Sequence, residues 1–252
     1  MILYNAIFAG TARNVEKYIE KNLDSIDKCG AKFKNYIVII YENDSEDNTR
    51  NILIKNFKHN YYYIFQDNIT NPNRTIRIAN GRNLILDKVR TINSMSNNMY
   101  DYLVMLDLDD VNESGTFVNS IEECFKIDVQ IWDGLMGNQS DKYYDIWALR
   151  CKNVIEYDCW EVYANGDDKV KKDITNTMNN INFPLNNNLI EVDSAFGGIA
   201  IYKIKSIPNN CYYNGTYIKN NNIYAKCEHV DFNETLKKNG GRLFILPTFL
   251  TN

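Results

Sequence analysis

The chain has 252 residues, with 28 Lys and Arg against 32 Asp and Glu, which gives a formal net charge of −4 and a pI of about 5.3. This mild acidity argues against a nucleic-acid binder that works by bulk positive charge. An apolar share of 44% with 24% charged residues is the composition of a globular protein rather than of a disordered chain. No stretch of sequence approaches the roughly 18 uninterrupted apolar residues of a membrane helix.

The six cysteines are scattered without a C-x-x-C pair, which argues against a zinc knuckle and makes reduced thiols the expectation. The apolar first residues have neither the basic region nor the small-residue cleavage site of a signal peptide. The sequence therefore predicts a cytoplasmic protein whose first apolar segment is a strand.

Strand and helix patterns alternate through the first 110 residues. Apolar and β-branched runs predict strands at 1–9, 36–41, 61–65 and 101–106. Apolar residues at helical spacing predict helices at 15–26 and 76–92. Cap residues at Asn43-Asp44-Ser45 predict another helix directly after them, with Glu46 and Asp47 in its first turn. This alternation predicts an α/β fold with a doubly wound, mostly parallel sheet.

The second half of the chain is less regular. Its predicted elements are a helix at 115–127, strands at 129–136, 199–202 and 243–246, and a last helix at 229–239. The polar, Asn-rich stretch 165–188 is predicted to be a mobile loop or a closing lid. Because the sequence shows no internal repeat and no linker, we expect one domain over 1–252.

The strongest functional signal is Asp107-Leu108-Asp109-Asp110, at the end of the fourth predicted strand. Ligands of open α/β sheets collect at the carboxyl ends of strands. Acids packed there repel one another and lose solvation, which a divalent cation relieves. Oxygen ligands select Mg²⁺ or Mn²⁺, whose remaining coordination positions suit a diphosphate. The alternative is a solvated acidic turn that caps the next helix.

Three further segments point to the same crevice. Arg13 follows the first predicted strand, Glu42 and Asp44 follow the second, and Arg82 lies in the helix before the acidic run. Carboxylates there can accept hydrogen bonds from the hydroxyl or ring N–H groups of a nucleoside, and an arginine can bind a phosphate with two hydrogen bonds. Each residue alone is an ordinary cap or surface charge, but their joint placement favours a nucleotide site.

Six segments carry a resemblance to a known family. They are Tyr41–Ser45 (YENDS), Gly81–Asn83 (GRN), Leu106–Asp110 (LDLDD), Tyr144–Arg150 (YDIWALR), Phe196–Gly198 (FGG) and Cys227–Phe232 (CEHVDF). With these segments the chain resembles the nucleotide-sugar glycosyltransferases of the GT-A fold, and in particular the fungal capsule-associated α-mannosyltransferase group. The resemblance runs from residue 2 to about residue 246. It implies a GT-A-like, Rossmann-like fold with a nucleotide-binding half at 1–112 and a more irregular acceptor-binding half at 113–252.

The same resemblance implies metal-dependent transfer of a sugar from a UDP- or GDP-sugar to a saccharide or glycoconjugate, with no nucleic-acid partner. The residues expected to bind the nucleotide sugar are Ala9, Arg13, Glu42, Asp44, Arg82, Asp107 and Leu108. The residues expected to ligate Mn²⁺ or Mg²⁺ are Asp107, Asp109 and His229. The residues expected at the acceptor are Asp145, Trp147, Gly197 and Gly198, and the catalytic candidates are Glu228 and Asp193.

One segment departs from the family pattern. Many inverting glycosyltransferases place a Glu-Asp pair at the head of the last helix, and the Asp deprotonates the acceptor. This chain has Glu228-His229 there. Either Glu228 is the base, or the enzyme is a retaining one in which the leaving phosphate assists the acceptor. The retaining mechanism is favoured.

Three other functions compete with this interpretation. Asp107-x-Asp109-x-Val111 and Gly166-Asp167-Asp168 match motifs of haloacid-dehalogenase-type phosphohydrolases, but there the first motif normally follows the first strand of the domain. A nucleotidyltransferase needs a glycine-rich loop after its first strand, and Ala9-Gly10-Thr11 is too poor in glycine. A non-catalytic nucleotide-sugar-binding module is the third alternative.

Overall fold

The computed structural model of the protein describes residues 1–97, 99–178, 180–219 and 221–251. The strands are β1 (Ile2–Ala12), β2 (Phe33–Asn43), β3 (Tyr61–Gln66), β4 (Tyr102–Leu106), β5 (Gly134–Asn138), β6 (Ile190–Glu191), β7 (Ile199–Lys203), β8 (Thr216–Lys219), β9 (Asn222–Ala225) and β10 (Leu243–Leu250). The helices are α1 (Glu16–Gly30), α2 (Thr49–Lys55), α3 (Arg74–Met95), α4 (Phe117–Cys124), α5 (Cys159–Asn165), α6 (Asp168–Met178) and α7 (Glu228–Lys238).

Within the described ranges, eight strands form one sheet in the order β3-β2-β1-β4-β7-β5-β10-β6. Strands β3, β2, β1 and β4 run parallel to one another, and β5 runs parallel to β10. Strand β7 runs antiparallel to β4 and β5, and β6 runs antiparallel to β10. The predicted α/β fold with a mostly parallel sheet is confirmed. Strands from both halves of the chain share this sheet, as expected of the single domain that we propose.

The sheet is covered by helices on both faces. Alternate residues of a strand point to opposite faces, so Ile39 of β2 joins a core cluster with Leu86 of α3, and Ile40 joins the other cluster with Leu23 of α1. Both isoleucines are fully buried. Burial on both faces explains why β2 is a continuous apolar run. The parallel pairing of β1 with β2 and β4 places the carboxyl ends of these three strands at one edge of the sheet.

The segment after β2 does not begin a helix where the sequence predicts one. Asp44 has a positive φ of 46°, and helix α2 begins only at Thr49. Asp47 precedes the helix, and its carboxylate accepts hydrogen bonds from the backbone N–H groups of Thr49 and Glu16. The prediction that Glu46 and Asp47 lie in a first helical turn is therefore wrong, because Asp47 holds the loop with its carboxylate and Glu46 donates its backbone N–H to the Asn14 side chain.

The Asn-rich stretch 165–188 contains helix α6, so the prediction that the whole stretch is a mobile loop is wrong. The Asp167 carboxylate accepts a hydrogen bond from the backbone N–H of Val170 at 3.0 Å and so caps the first turn. Ile174 on the following turn is 3% exposed and packs in the core. Residue 179 of this stretch lies outside the described residues.

Two other features of the second half were not predicted. Helix α5 precedes α6, and strands β8 and β9 pair as a separate antiparallel hairpin. Helix α5 is 7 residues long and the hairpin strands are 4 residues each, which is too short for a clear periodic signal. Among the described residues, no helix combines the length and the apolar character needed to cross a bilayer.

A substitution at Gly81 tests how tightly α3 packs on the sheet. Helix propensity alone favours Ala over Gly by about 1 kcal/mol in a helix interior. A Cβ at position 81, however, would lie 2.5 Å from the Tyr41 ring. We expect Gly81→Ala to lower the free energy of unfolding by about 1–3 kcal/mol in urea denaturation, because overpacking outweighs the propensity gain.

The matched control for this substitution is Asn80→Ala, at an exposed position of the same helix. We expect it to leave stability unchanged or slightly raised. If Gly81→Ala stabilises the protein as much as the control does, α3 does not pack on Tyr41 as described.

Candidate active site

Two adjoining clefts lie at the carboxyl ends of β1, β2 and β4. The larger one, of about 430 Å³, is lined by the loop after β1, the end of β2 and the first turns of α3; we call it the arginine cleft after Arg13, Arg74 and Arg77. The smaller one, of about 170 Å³, is lined by Trp147, Trp160 and the start of α7; we call it the tryptophan cleft. The two clefts share the residues Arg74, Ile78, Arg82, Asp107 and Asp109.

Asp107 and Asp109 stand in this shared wall. The Asp107 backbone N–H donates to the Gly198 carbonyl at 2.9 Å, which ties the end of β4 to the start of β7. The Asp109 carboxylate accepts from the Val111 backbone N–H at 3.2 Å and caps a short 3-10 helix at Asp110–Asn112. The acids therefore have fixed positions at the edge where ligands of such sheets bind.

Burial raises the pKa of both carboxyl groups. For Asp107 the nearby Asp109, Asp145 and Glu228 carboxylates add to this effect, while Arg82 opposes it. For Asp109 burial again acts first, and the N–H of Val111 opposes it. Crowded, poorly solvated acids of this kind are stabilised by an added positive charge.

Arg82 is the positive charge inside this acidic cluster. Its guanidinium is 3% exposed and pairs with Asp107 at 2.8 Å and with Glu228 at 2.9 Å. The same group lies over the Phe196 ring, with Cζ 4.7 Å from the ring centroid. Two protein carboxylates hold Arg82, so it braces the site; its Nε and Nη1 atoms have no hydrogen-bond partner among the described residues, and contact with a phosphate stays a prediction.

Asp145 and Trp147 both line the tryptophan cleft, as the resemblance implies for acceptor residues. The Asp145 carboxylate accepts hydrogen bonds from the backbone N–H groups of Gly197 at 3.1 Å and Ala148 at 3.3 Å. Burial nevertheless raises the pKa of Asp145 to about 6. The Trp147 ring packs against Trp160, with centroids 4.6 Å apart.

His229 is 2% exposed and stacks on Phe196, with ring centroids 3.8 Å apart. Neither of its ring nitrogens has a hydrogen-bond partner among the described residues. Burial, followed by the charge of Arg82, holds the pKa of His229 well below its usual value. The imidazole is therefore neutral at pH 7 and has an unshared lone pair available to a ligand.

Gly197 and Gly198 have positive φ values of 65° and 83°. A Cβ at position 197 would lie 2.3 Å from the Gly137 carbonyl oxygen, so only glycine fits there. The Gly198 carbonyl accepts from both the Asp107 N–H and the Asn112 side-chain amide. The two glycines therefore shape the wall behind the acids, and a direct contact with an acceptor sugar stays a prediction.

The structure places several predicted site residues away from open cleft surface. Ala9 and Glu42 are fully buried, and Glu42 pairs with Arg50. Asp44 accepts hydrogen bonds from the backbone N–H groups of Asn68 and Ile69, so it fastens the loop after β3 to the end of β2. Arg13 and Leu108 do line the arginine cleft.

Asp193, the second catalytic candidate, is not brought to the site. Its side chain is 64% exposed and pairs with Lys237 at 2.8 Å, and it lines neither cleft.

Among the lining residues that sequence reasoning missed are Arg74, Arg77 and Trp160. The signal for the first was present, because Arg74, Ile78 and Arg82 recur at four-residue spacing on one face of α3. Trp160 lies on α5, which was not predicted, so no signal pointed to it.

The residues present fit a divalent cation that shares its coordination with a ligand. No group of three His, Cys, Asp or Glu side chains in the described part of the chain is close enough to hold a metal ion. The predicted trio of Asp107, Asp109 and His229 lines one cleft but is not a complete metal centre. Mg²⁺ and similar cations commonly bind one or two carboxylates and take their remaining ligands from substrate phosphates and water.

Comparison with solved structures identifies the fold. A mannosyltransferase from Pyrobaculum calidifontis, solved with GDP-Man and Mn²⁺, matches with a TM-score of 0.53 at 11% identity, over 99% of this chain and 56% of the other. The chain has the GT-A fold. The S. aureus protein TarS (residues 1–349) with UDP-GlcNAc matches with a TM-score of 0.49 at 15% identity, over 97% of this chain and 56% of the other.

The chain thus spans just over half the length of these GT-A structures. No protein-family model and no curated protein matches its sequence. At such low identity the comparison establishes the fold alone.

Replacing Arg82 tests the buried ion-pair cluster. We expect Arg82→Gln to lower the free energy of unfolding by about 3–5 kcal/mol at pH 9.5, because it leaves buried carboxylates unpaired. Loss of Arg82 raises the pKa of Asp107 above its wild-type value of about 8. Both folded proteins therefore carry a protonated Asp107 well below pH 8, where the deficit is smaller and constant, and the deficit grows as the pH rises above about 8.

Urea denaturation at pH 6 and pH 9.5 measures both effects, with Arg77→Gln on the same helix as the control. Among the described residues, Arg77 donates only to backbone carbonyls, so its loss should cost about 1 kcal/mol or less at either pH. A deficit for Arg82→Gln that is equal at the two pH values contradicts the ion-pair account.

Proposed function

We propose that the protein is a metal-dependent glycosyltransferase that moves a sugar from a UDP- or GDP-sugar to a saccharide or glycoconjugate acceptor. The observation that carries the proposal is the position of Asp107 and Asp109 between an arginine-lined and a tryptophan-lined cleft. Such a wall lets a cation reach a diphosphate on one side while the transferred sugar faces an acceptor on the other. The GT-A fold of the chain supports the same conclusion.

The arginine cleft suits the diphosphate of the donor. Arg13, Arg74 and Arg77 line it, and α3 begins at Arg74, so the positive end of the helix dipole lies beside the same space. Arginine guanidinium groups bind phosphate oxygens with two parallel hydrogen bonds. Asp44 contributes indirectly in this proposal, because it fixes the loop at Asn68 and Ile69 that borders the nucleoside end.

Asp109, together with Asp107, would hold the Mn²⁺ or Mg²⁺ ion. The cation supplies charge neutralisation of the leaving diphosphate, a class of effect worth roughly several kcal/mol. The raised pKa values of the two carboxyl groups agree with a site that is complete only when a positive charge is added. His229 as a third ligand stays a prediction.

The chain's own residues favour a retaining mechanism. Glu228, the candidate base, has one carboxylate oxygen 2.9 Å from the Arg82 guanidinium, and the side chain is 9% exposed. A carboxylate held in this way positions Arg82 and the start of α7 better than it accepts a proton. Asp193 lies outside both clefts, and we do not carry it into the mechanism.

The competing phosphohydrolase function loses support in the structure. Asp107 follows β4, which is the fourth strand in the chain, and Gly166–Asp168 lies at the junction of α5 and α6 and lines neither cleft. Release of phosphate from p-nitrophenyl phosphate would favour that function over sugar transfer. The narrower resemblance to the fungal capsule-associated group stays a prediction, since no family model and no curated protein supports it.

Asp109→Asn is the substitution that tests the cation site. The amide oxygen keeps the cap on the Val111 N–H, so the fold should survive, and removal of one crowded charge should leave the melting temperature of the ligand-free protein unchanged or higher. We expect the variant to lose the thermal stabilisation by Mn²⁺ plus nucleoside diphosphate, and to lose sugar transfer at least about 100-fold.

Asp110→Asn is the matched control, because Asp110 is the neighbouring acid and is exposed. It should behave as the wild type in both assays. Full transfer activity in Asp109→Asn, measured with a donor that the wild type uses, would end the metal assignment.

The stereochemical outcome tests the proposed role of Glu228. We expect the product to keep the anomeric configuration of the donor sugar, which proton NMR of the newly formed glycosidic linkage reports directly. An inverted linkage would assign a carboxylate of the tryptophan cleft as a general base.

A further inference from the structure

The two clefts carry opposite charge. The arginine cleft is lined by four arginines and two aspartates, namely Arg13, Arg74, Arg77, Arg82, Asp107 and Asp109. The tryptophan cleft is lined by two arginines and four carboxylates, namely Arg74, Arg82, Asp107, Asp109, Asp145 and Glu228. A diphosphate is matched in the first cleft by Arg13 and Arg77, which line that cleft alone. A negatively charged group in the second cleft faces Asp145 and Glu228, which line that cleft alone and would stay unneutralised by a cation at Asp107 and Asp109.

The buried positive charge of the tryptophan cleft is shared with two acids. Arg82 lies between Asp107 and Glu228, at 2.8 and 2.9 Å, although its Nε and Nη1 atoms have no hydrogen-bond partner among the described residues, and Arg74 stands in the wall that faces the arginine cleft as well. A phosphate or carboxylate on an acceptor that paired with Arg82 would therefore also lie against these acids, whereas a hydroxyl group would meet no such repulsion.

A buried side chain without a hydrogen-bond partner in the described part of the chain lines the tryptophan cleft and is placed to meet a polar ligand. His229 lines it, is 2% exposed, and has no partner for either ring nitrogen among the described residues. Buried polar atoms normally have hydrogen-bond partners. An imidazole has two nitrogens, so one remains for a hydroxyl group even if the other ligates the cation.

The other wall of the cleft is aromatic. The rings of Trp147 and Trp160 lie 4.6 Å apart at an angle of 35°, and both are partly exposed. Asp158 caps α5 by accepting from the Glu161 N–H at 2.9 Å, and it also pairs with Arg150, so the helix that carries Trp160 is anchored. Aromatic faces of this kind pack against the C–H surface of a sugar ring.

We infer that the acceptor of the proposed glycosyl transfer is an uncharged saccharide, and that Trp160 is a specificity-determining residue that stacks on its ring. The inference rests on the proposed function, since it names the acceptor class of that same site. It excludes acceptors whose reacting sugar carries a phosphate or a carboxylate.

An acceptor panel tests the acceptor class. The full chain with Mn²⁺ and a set of UDP- and GDP-sugars is offered two kinds of acceptor. The uncharged acceptors are p-nitrophenyl glucoside and mannoside, and the charged acceptors matched to them are p-nitrophenyl glucuronide and hexose 6-phosphates. Mass spectrometry follows the products. We expect kcat/KM at least about tenfold higher for the uncharged member of each pair. Preferred transfer to a phosphorylated or carboxylated acceptor overturns the inference while leaving glycosyl transfer intact. Absence of both transfer and donor hydrolysis with every donor overturns the proposed function itself, and the inference with it.

Substitution of Trp160 tests its role separately. We expect Trp160→Ala to raise KM for the uncharged acceptor about tenfold with a much smaller change in kcat, and Trp160→Phe to restore most of the loss. The thermal shift with Mn²⁺ and nucleoside diphosphate should persist in both variants, which shows that they are folded and that the arginine cleft is intact. Phe57→Ala, at an aromatic side chain 59% exposed and outside both clefts, is the control and should match the wild type.

An unchanged acceptor KM in Trp160→Ala overturns the assignment of Trp160. Loss of the nucleotide-dependent thermal shift in both Trp160 variants also overturns it, because the side chain would then support the fold or the donor site rather than the acceptor.

Discussion

A guanidinium with 3% of its surface exposed can stay in the core only if carboxylates neutralise it, and Arg82 meets this condition through Asp107 and Glu228. The pairing joins the end of β4 to the first residue of α7, two elements that are distant in the sequence. It also sets the plane on which Phe196 packs, and Phe196 in turn stacks on His229. The shape of both clefts therefore depends on one buried cation and its two partners.

The same arrangement leaves the site electrostatically incomplete. Arg82 is one buried positive charge beside four carboxylates, and Arg74 is exposed, so burial and mutual repulsion raise the pKa values of Asp107, Asp109 and Asp145. A protein that only needed to be stable would have no use for this crowding, because replacing such groups is often neutral or stabilising. In the function that we propose, a cation and a diphosphate would relieve it, since the cation would pair with the acids and the diphosphate with the arginines of the neighbouring cleft. The free energy lost to crowding in the empty site would then contribute to ligand affinity.

The sequence predicts the parts of this site that depend on local pattern. The β-branched run of β2 and the acids after β4 were located correctly, because strand burial and strand-end chemistry are properties of short segments. The loop function of Asp44 and the exposed position of Asp193 were not foreseen, since each depends on partners far away in the chain. Helix α5, which carries Trp160, was not predicted because 7 residues are too few to show a clear helical pattern. In the structure its contact with Trp147 holds it in place.

The central claim is that a divalent cation at Asp107 and Asp109 joins the two clefts by holding a sugar donor's diphosphate between them. A crystal structure with Mn²⁺ and a nucleoside diphosphate, with manganese located by its anomalous scattering, tests this claim most directly. The account predicts a manganese peak within about 2.0–2.6 Å of an Asp109 carboxylate oxygen, with the diphosphate directed towards Arg74 and Arg77. Nucleotide bound in the arginine cleft with manganese at another place, or nucleotide bound elsewhere on the protein, would contradict it.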